Sequence, residues 1–252
     1  MICHLRKMRS GCNMLSTQLI REVEIDWKKM PGGSYVRSIP SLRGLKKIAF
    51  NKPVTFFAGE NGSGKSTLLE GIAVAAGFNP EGGTRNYHFS THDSHSELHE
   101  AMQLVRGYRT IEWGYFLRAE SFYNVATQEE EYAEIGHIPS DDYHKRSHGE
   151  SFIDLMQNVF QEDSLLILDE PEAALSPQRQ LTLLIEIFRC AQSGAQFIIA
   201  THSPFLLSCP DADIYSFDGG KLHLCSCEET GSYQVSSLFF RNPSEFIKNL
   251  LQ

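Results

Sequence analysis

Eight consecutive residues constrain this chain more than any others. Gly59-Glu60-Asn61-Gly62-Ser63-Gly64-Lys65-Ser66 fits the pattern G-x-x-x-x-G-K-[ST]. The glycines let backbone N–H groups converge on phosphate oxygens where a Cβ would intrude. A helix that starts directly after them points its positive N-terminus at the same phosphates. Lys65 adds a point charge for β- and γ-phosphates, the Ser66 hydroxyl a ligand for Mg²⁺, and Thr67 follows in the same turn. The flanks supply the context the pattern requires. Val54-Thr55-Phe56-Phe57-Ala58, bounded by Pro53 and Gly59, predicts a buried strand. Leu68, Leu69, Ile72, Ala75 and Ala76 predict the apolar stripe of a helix that stops at Gly77.

Two further apolar runs end in polar chemistry. Leu165-Leu166-Ile167-Leu168 runs into Asp169-Glu170. After a phosphate loop, Asp169 is placed to hold Mg²⁺ and Glu170 to orient or deprotonate an attacking water. Phe197-Ile198-Ile199-Ala200 runs into Thr201-His202-Ser203-Pro204, which puts His202 at the C-terminal edge of a sheet, where such folds bind ligands. Between these runs, Ser176-Pro177 reads as the N-cap and first residue of a helix with Leu181, Leu184, Ile187, Phe188 and Ala191 inward. Strands alternating with helices predict a largely parallel sheet covered on both faces. Residues 17–58 read as β-rich, with breaks at Pro31-Gly32-Gly33 and Ile39-Pro40.

The phosphate loop, then Asp169-Glu170-Pro171, then Ala174-Leu175-Ser176-Pro177, then His202 resemble the ABC ATPase superfamily in order and spacing. The resemblance covers roughly residues 35–250. It is nearest in style to small stand-alone bacterial ATPases, often labelled AAA-family, that carry motifs like those of chromosome-maintenance and DNA-repair ATPases. It implies an α/β P-loop NTPase fold with an N-terminal antiparallel part and a small inserted arm, and ATP and Mg²⁺ as ligands. It makes residues 174–177 a D-loop and His202 a switch histidine. Ser147-His148-Gly149-Glu150-Ser151 stands where the superfamily has its signature, with His148 in place of a glycine and Glu150 in place of glutamine. On that reading Ser147, Gly149 and Glu150 complete the nucleotide site of a second protomer. Ser-x-x-Glu before an apolar helix is equally a capping box, and both readings can hold. Phe116 to Phe122 lies where the superfamily has its Q-loop; lacking a glutamine there, the chain offers Glu120 for Mg²⁺ or water.

The remainder of the 252 residues sets bounds. A net charge of -8 gives no support to a broad nucleic-acid face, though it leaves a local basic patch open. No apolar run is long enough to span a bilayer. Six scattered cysteines without a C-x-x-C pair point to a reducing cytoplasm; Cys225 and Cys227 read as small core residues before they read as ligands. Residues 1–13 read as a disordered extension and 14–252 as a single ATPase domain, with polar loops over about 78–146 inserted as an arm. His92, His95 and His99 could share a helical face for zinc, but a solvated arm suits their Ser- and Asp-rich surroundings better. The expected output is ATP hydrolysis by an ATP-driven homodimer, with an unidentified protein partner possible. Rival outputs are the nucleotide-binding subunit of a membrane transporter and a slow ATP-dependent dimerisation switch.

Overall fold

The computed structural model describes residues 17–85, 96–118, 156–173 and 175–251. Among these residues two sheets form. The smaller is antiparallel, in the order β2-β1-β5, from β1 (Ile20–Ile25), β2 (Lys47–Ala49) and β5 (Met102–Arg106). The larger has seven strands in the order β10-β9-β3-β8-β7-β6-β4. Its centre is parallel: β3 (Val54–Ala58), β6 (Gly114–Arg118), β7 (Leu165–Asp169), β8 (Gln196–Thr201) and β9 (Ala212–Ser216). The edge strands β4 (Gly83–Thr84) and β10 (His223–Cys225) run antiparallel to their neighbours.

Alternation along the central strands divides the core into two layers. In β7, Leu165 and Ile167 join Phe57, Ile198 and Ala200 in one cluster, while Leu166 and Leu168 join Phe56, Phe197 and Ile199 in the other. The first layer is closed by helix α1 (Lys65–Ala76), through Leu68, Leu69, Ile72 and Ala76, and by the small sheet, through Leu19, Ile20 and Val23. The second is closed by helix α2 (Pro177–Gln192) and the short helix α3 (Pro204–Leu207). Gln196 joins the two sheets: its side chain accepts from Ile20 N and donates to Ile20 O, both at 2.8 Å.

Two expectations are corrected by packing. Residues 96–106, read as part of an exposed arm, belong to the body. A 3₁₀ turn over Glu97–Ala101 buries Leu98 and Ala101 in the first core layer beside α1, and β5 pairs with β1. The polar composition conceals two buried side chains, and the strand pairs with a partner some eighty positions away. In α2 the buried stripe is Leu183, Ile187 and Ala191; Leu184 and Phe188 lie on its flanks, and Leu181 is 44% exposed. Ser176 caps this helix by accepting from Arg179 N, with Pro177 at its first position, as expected. Leu183→Ala is therefore expected to cost about 2–5 kcal/mol and Leu181→Ala under about 1 kcal/mol, measured by denaturant unfolding. The reverse order would put the stripe back on Leu181.

The chain ends in a hairpin of α4 (Gly231–Arg241) and α5 (Pro243–Leu250), held by an edge-on contact of Phe239 and Phe246. No helix among the described residues is long and apolar enough to cross a membrane.

Candidate functional site

The parallel register brings the C-terminal strand ends into one row: Ala58 lies beside Thr201, Asp169 beside Ala200, and Arg118 beside Asp169. The described candidates for nucleotide binding and catalysis stand on this row, in the loops that leave it or in the first turn of α1.

The loop from Gly59 to Gly64 connects β3 to α1. Gly64 takes φ +101° as the N-cap of α1, and a Cβ there would come within 2.7 Å of Ile39 Cγ2. Both constraints exclude other residues. The loop is pinned from outside. Ser41 Oγ donates to Ser63 O at 2.5 Å, and Glu60 N donates to Asp218 Oδ1 at 3.2 Å. The first-turn N–H groups of α1 have no intrahelical acceptor, so they face outward at the loop. Lys65 is buried, and its ammonium donates to Gly59 O and Glu60 O at 2.8 and 2.9 Å. Burial lowers its pKa, against the opposing pull of Glu170 and Asp169. An open cleft of about 500 Å³ lies over this loop, lined among others by Asn61, Gly62, Thr67 and Tyr35.

Across the cleft, Ser66 Oγ donates to Asp169 Oδ1 at 3.0 Å. Burial pushes the Asp169 carboxyl up to about 6, only partly offset by that hydrogen bond. Two hard oxygen donors from different elements, one of them a desolvated carboxylate, suit a small divalent cation such as Mg²⁺. Arg118 reaches the same cleft from β6, bonded to Glu70 Oε2 at 3.1 Å and Pro80 O at 3.2 Å.

Glu170 turns away from β7 with φ +47°, and its N–H donates to Ala200 O at 2.9 Å. Left-handed backbone at a non-glycine costs on the order of 1–3 kcal/mol; Asp163 and Asp211 adopt it too, but of the three only Glu170 lines the cleft. His202 follows β8. Its Nδ1 lies 3.6 Å from Glu170 Oε1 and 3.6 Å from Glu172 Oε1. Glu172 is buried, with Oε1 accepting from Thr201 Oγ1 at 2.6 Å and from His202 N at 2.9 Å.

The structure thus brings together Lys65, Ser66, Asp169, Glu170 and His202. Glu120, Ser147, Gly149 and Glu150 lie outside the described residues, as do His92 and His95. His99 stands in the 3₁₀ turn, its Nδ1 at 3.0 Å from Ser96 O. Three residues of the site were not singled out from sequence: Arg118, Glu172 and Asp218. Arg118 lies within the Phe116 to Phe122 segment, two positions before Glu120, whereas Glu172 falls in the gap between the Asp169-Glu170-Pro171 and Ala174-Leu175-Ser176-Pro177 motifs. Asp218 follows Phe217 with no motif of its own; only the pairing of β9 with β3 brings it to the loop.

A family model described as an AAA domain matches residues 34–193. No curated protein matches the chain. Solved structures that resemble it include an ATP-binding cassette of an ABC transporter, 17% identical, covering 91% of this chain and 99% of that one with a TM-score of 0.45. A structure from Clostridium perfringens, part of an ABC transporter complex, is 17% identical over 80% of this chain and 90% of that one, TM-score 0.45. The SMC head domain from Thermotoga maritima is 14% identical over 83% and 99%, TM-score 0.42.

Proposed function

This chain belongs to the AAA domain family matched over residues 34–193, and from that premise we propose that it binds ATP with Mg²⁺ and hydrolyses it. The observation that carries the reading is the Ser66–Asp169 contact at 3.0 Å, in a cleft that Lys65 and Glu170 also line, with His202 Nδ1 3.6 Å from Glu170 Oε1. Loop amides, the α1 N-terminus and Lys65 hold the triphosphate. Ser66 and Asp169 would hold Mg²⁺, whose chemistry is to neutralise charge on the phosphate oxygens. Glu170 orients a water and takes its proton as the water oxygen bonds to the γ-phosphorus. The bond from that phosphorus to the bridging oxygen breaks, and ADP and phosphate leave. His202, within reach of Glu170, holds that carboxylate and the phosphate end of the substrate. Catalysis is by placement and charge rather than covalent chemistry.

The active form in this reading is a homodimer closed by ATP. One loop covers one side of the triphosphate, and Ser147, Gly149 and Glu150 of a second copy cover the other. The resemblance of the motifs to those of ABC ATPases supports this assembly. The four described cysteines, Cys190, Cys209, Cys225 and Cys227, are free thiols, which suits a reducing cytoplasm.

Sedimentation tests the assembly. The Glu170→Gln chain should dimerise with Mg-ATP and stay monomeric with ADP, and Ser147→Arg should bind ATP without dimerising. Wild-type specific activity should rise with protein concentration and then saturate. A Glu170→Gln chain that remains monomeric at saturating Mg-ATP would refute the self-dimer and assign the second half of the site to another protein.

A further inference from the structure

Glu172 is a buried, hydrogen-bonded carboxylate of the site that the reaction above leaves without a task. Its side chain is 5% exposed. Burying a carboxylate is costly unless both oxygens are satisfied. Here Oε1 takes two hydrogen bonds, from Thr201 Oγ1 and from the backbone N–H of His202. Oε2 is buried and has no partner among the described residues. Fold stability alone would favour a neutral acceptor at this place, so the half-satisfied carboxylate calls for another reason.

That reason lies in what Glu172 grips. Its two donors are the last residue of β8 and the one after it, where the strand ends and His202 begins. The grip extends further. Thr201 Oγ1 accepts from Ser203 N at 3.0 Å, so the hydroxyl is fixed at both its donor and acceptor ends. Ser203 Oγ donates to Gln180 Oε1 at 2.6 Å, and Gln180 Nε2 donates to Leu175 O at 3.0 Å. The chain of bonds leaves the strand-end loop at Glu172 and returns to it at Leu175. His202 is the one residue in the stretch from Thr201 to Ser203 whose side chain takes no hydrogen bond in this ring. With its backbone fixed, two side-chain torsions remain, and Nδ1 stands equally far from Glu170 and Glu172.

We propose that Glu172 is a positioning residue for ATP hydrolysis: by holding the backbone at Thr201 and His202 it sets the imidazole against Glu170. The proposal rests on the ATPase reading above. It makes Glu172 act through His202, with no contact to substrate of its own.

The test is a double-mutant cycle on hydrolysis by the full chain. Glu172→Ala is expected to lower kcat about ten- to hundredfold, the cost of misplacing a reacting group, with KM for ATP moved less than about threefold. On a His202→Ala background the same change should cost under about twofold, because the group it positions is gone. Glu172→Gln keeps an oxygen for both donors and should recover kcat to within about threefold of wild type. Equal costs in the two backgrounds, or no cost in either, overturn the proposal. If Glu172→Ala does not fold, Thr201→Val removes the hydroxyl between Glu172 and Ser203 and enters the same cycle. A wild-type chain without turnover counts against the ATPase reading and not against Glu172. The proposal is then decided by the ring resonances of His202, identified by their loss in His202→Ala. They should shift in Thr201→Val and Glu172→Ala, and unmoved resonances overturn it.

Discussion

Lys65→Ala is expected to abolish tight Mg-ATP binding, raising the dissociation constant by about a hundredfold or more, as loss of a charge-assisted contact of about 3 kcal/mol requires. The side chain is 3% exposed, and its ammonium rests on two loop carbonyls, Gly59 O and Glu60 O. Desolvation works against its charge. A triphosphate gives that charge a stronger partner, so much of the burial cost is offset only when nucleotide binds. Alanine leaves the phosphate charge uncompensated. Calorimetric titration with Mg-ATP checks this, with unfolding of the free protein as a control for the loop. Unchanged affinity would remove residues 59–66 from the phosphate site.

Glu170→Gln is expected to act on the other half of the cycle. ATP binding should persist while turnover falls about a hundredfold or more, the loss typical of a positioned base. The amide keeps the size of the carboxylate and its backbone bond to Ala200, so the left-handed turn at φ +47° is retained. It cannot take up the water's proton. Asp169→Asn should behave differently: it weakens the carboxylate donor beside Ser66, so more Mg²⁺ is needed to reach half-maximal activity. A Glu170→Gln chain with wild-type turnover would move the base to His202 or to Glu120.

The site was legible in the sequence where a residue type has one physical use at one spacing. Gly64 is such a case, needed both for its positive φ and for its closeness to Ile39. The apolar runs of β7 and β8 are others, since a strand buried on both faces has no polar alternation to obscure it. Reading failed where packing chooses among equals. Leu181, Leu183 and Leu184 are the same residue, and only the position of α2 over the sheet selects Leu183 as the buried one. Glu172 was hidden for a related reason. Its meaning lies in contacts 29 and 30 positions away, in the register that sets Thr201 and His202 beside the end of β7. Arg118 owes its place beside Asp169 to the β6–β7 pairing, which no local pattern announces. The terminal hairpin illustrates the limit of periodicity: α4 and α5 are amphipathic, yet neither has a buried residue, and Phe240 is 70% exposed.

The proposed reaction is cleavage of ATP in the cleft that Lys65, Asp169 and Glu170 line. Single-turnover hydrolysis tests it most directly, with protein in excess over labelled ATP and Mg²⁺ present, followed by acid quench. With the protein also well above its dissociation constant for ATP, nearly every nucleotide is bound and the rate reports chemistry. Wild-type protein should convert the bound ATP to ADP and phosphate in one phase that chelation of Mg²⁺ abolishes. The Glu170→Gln chain should hold its ATP intact over the same interval. Equal conversion by the two proteins, or retention of intact ATP by both, would contradict the account.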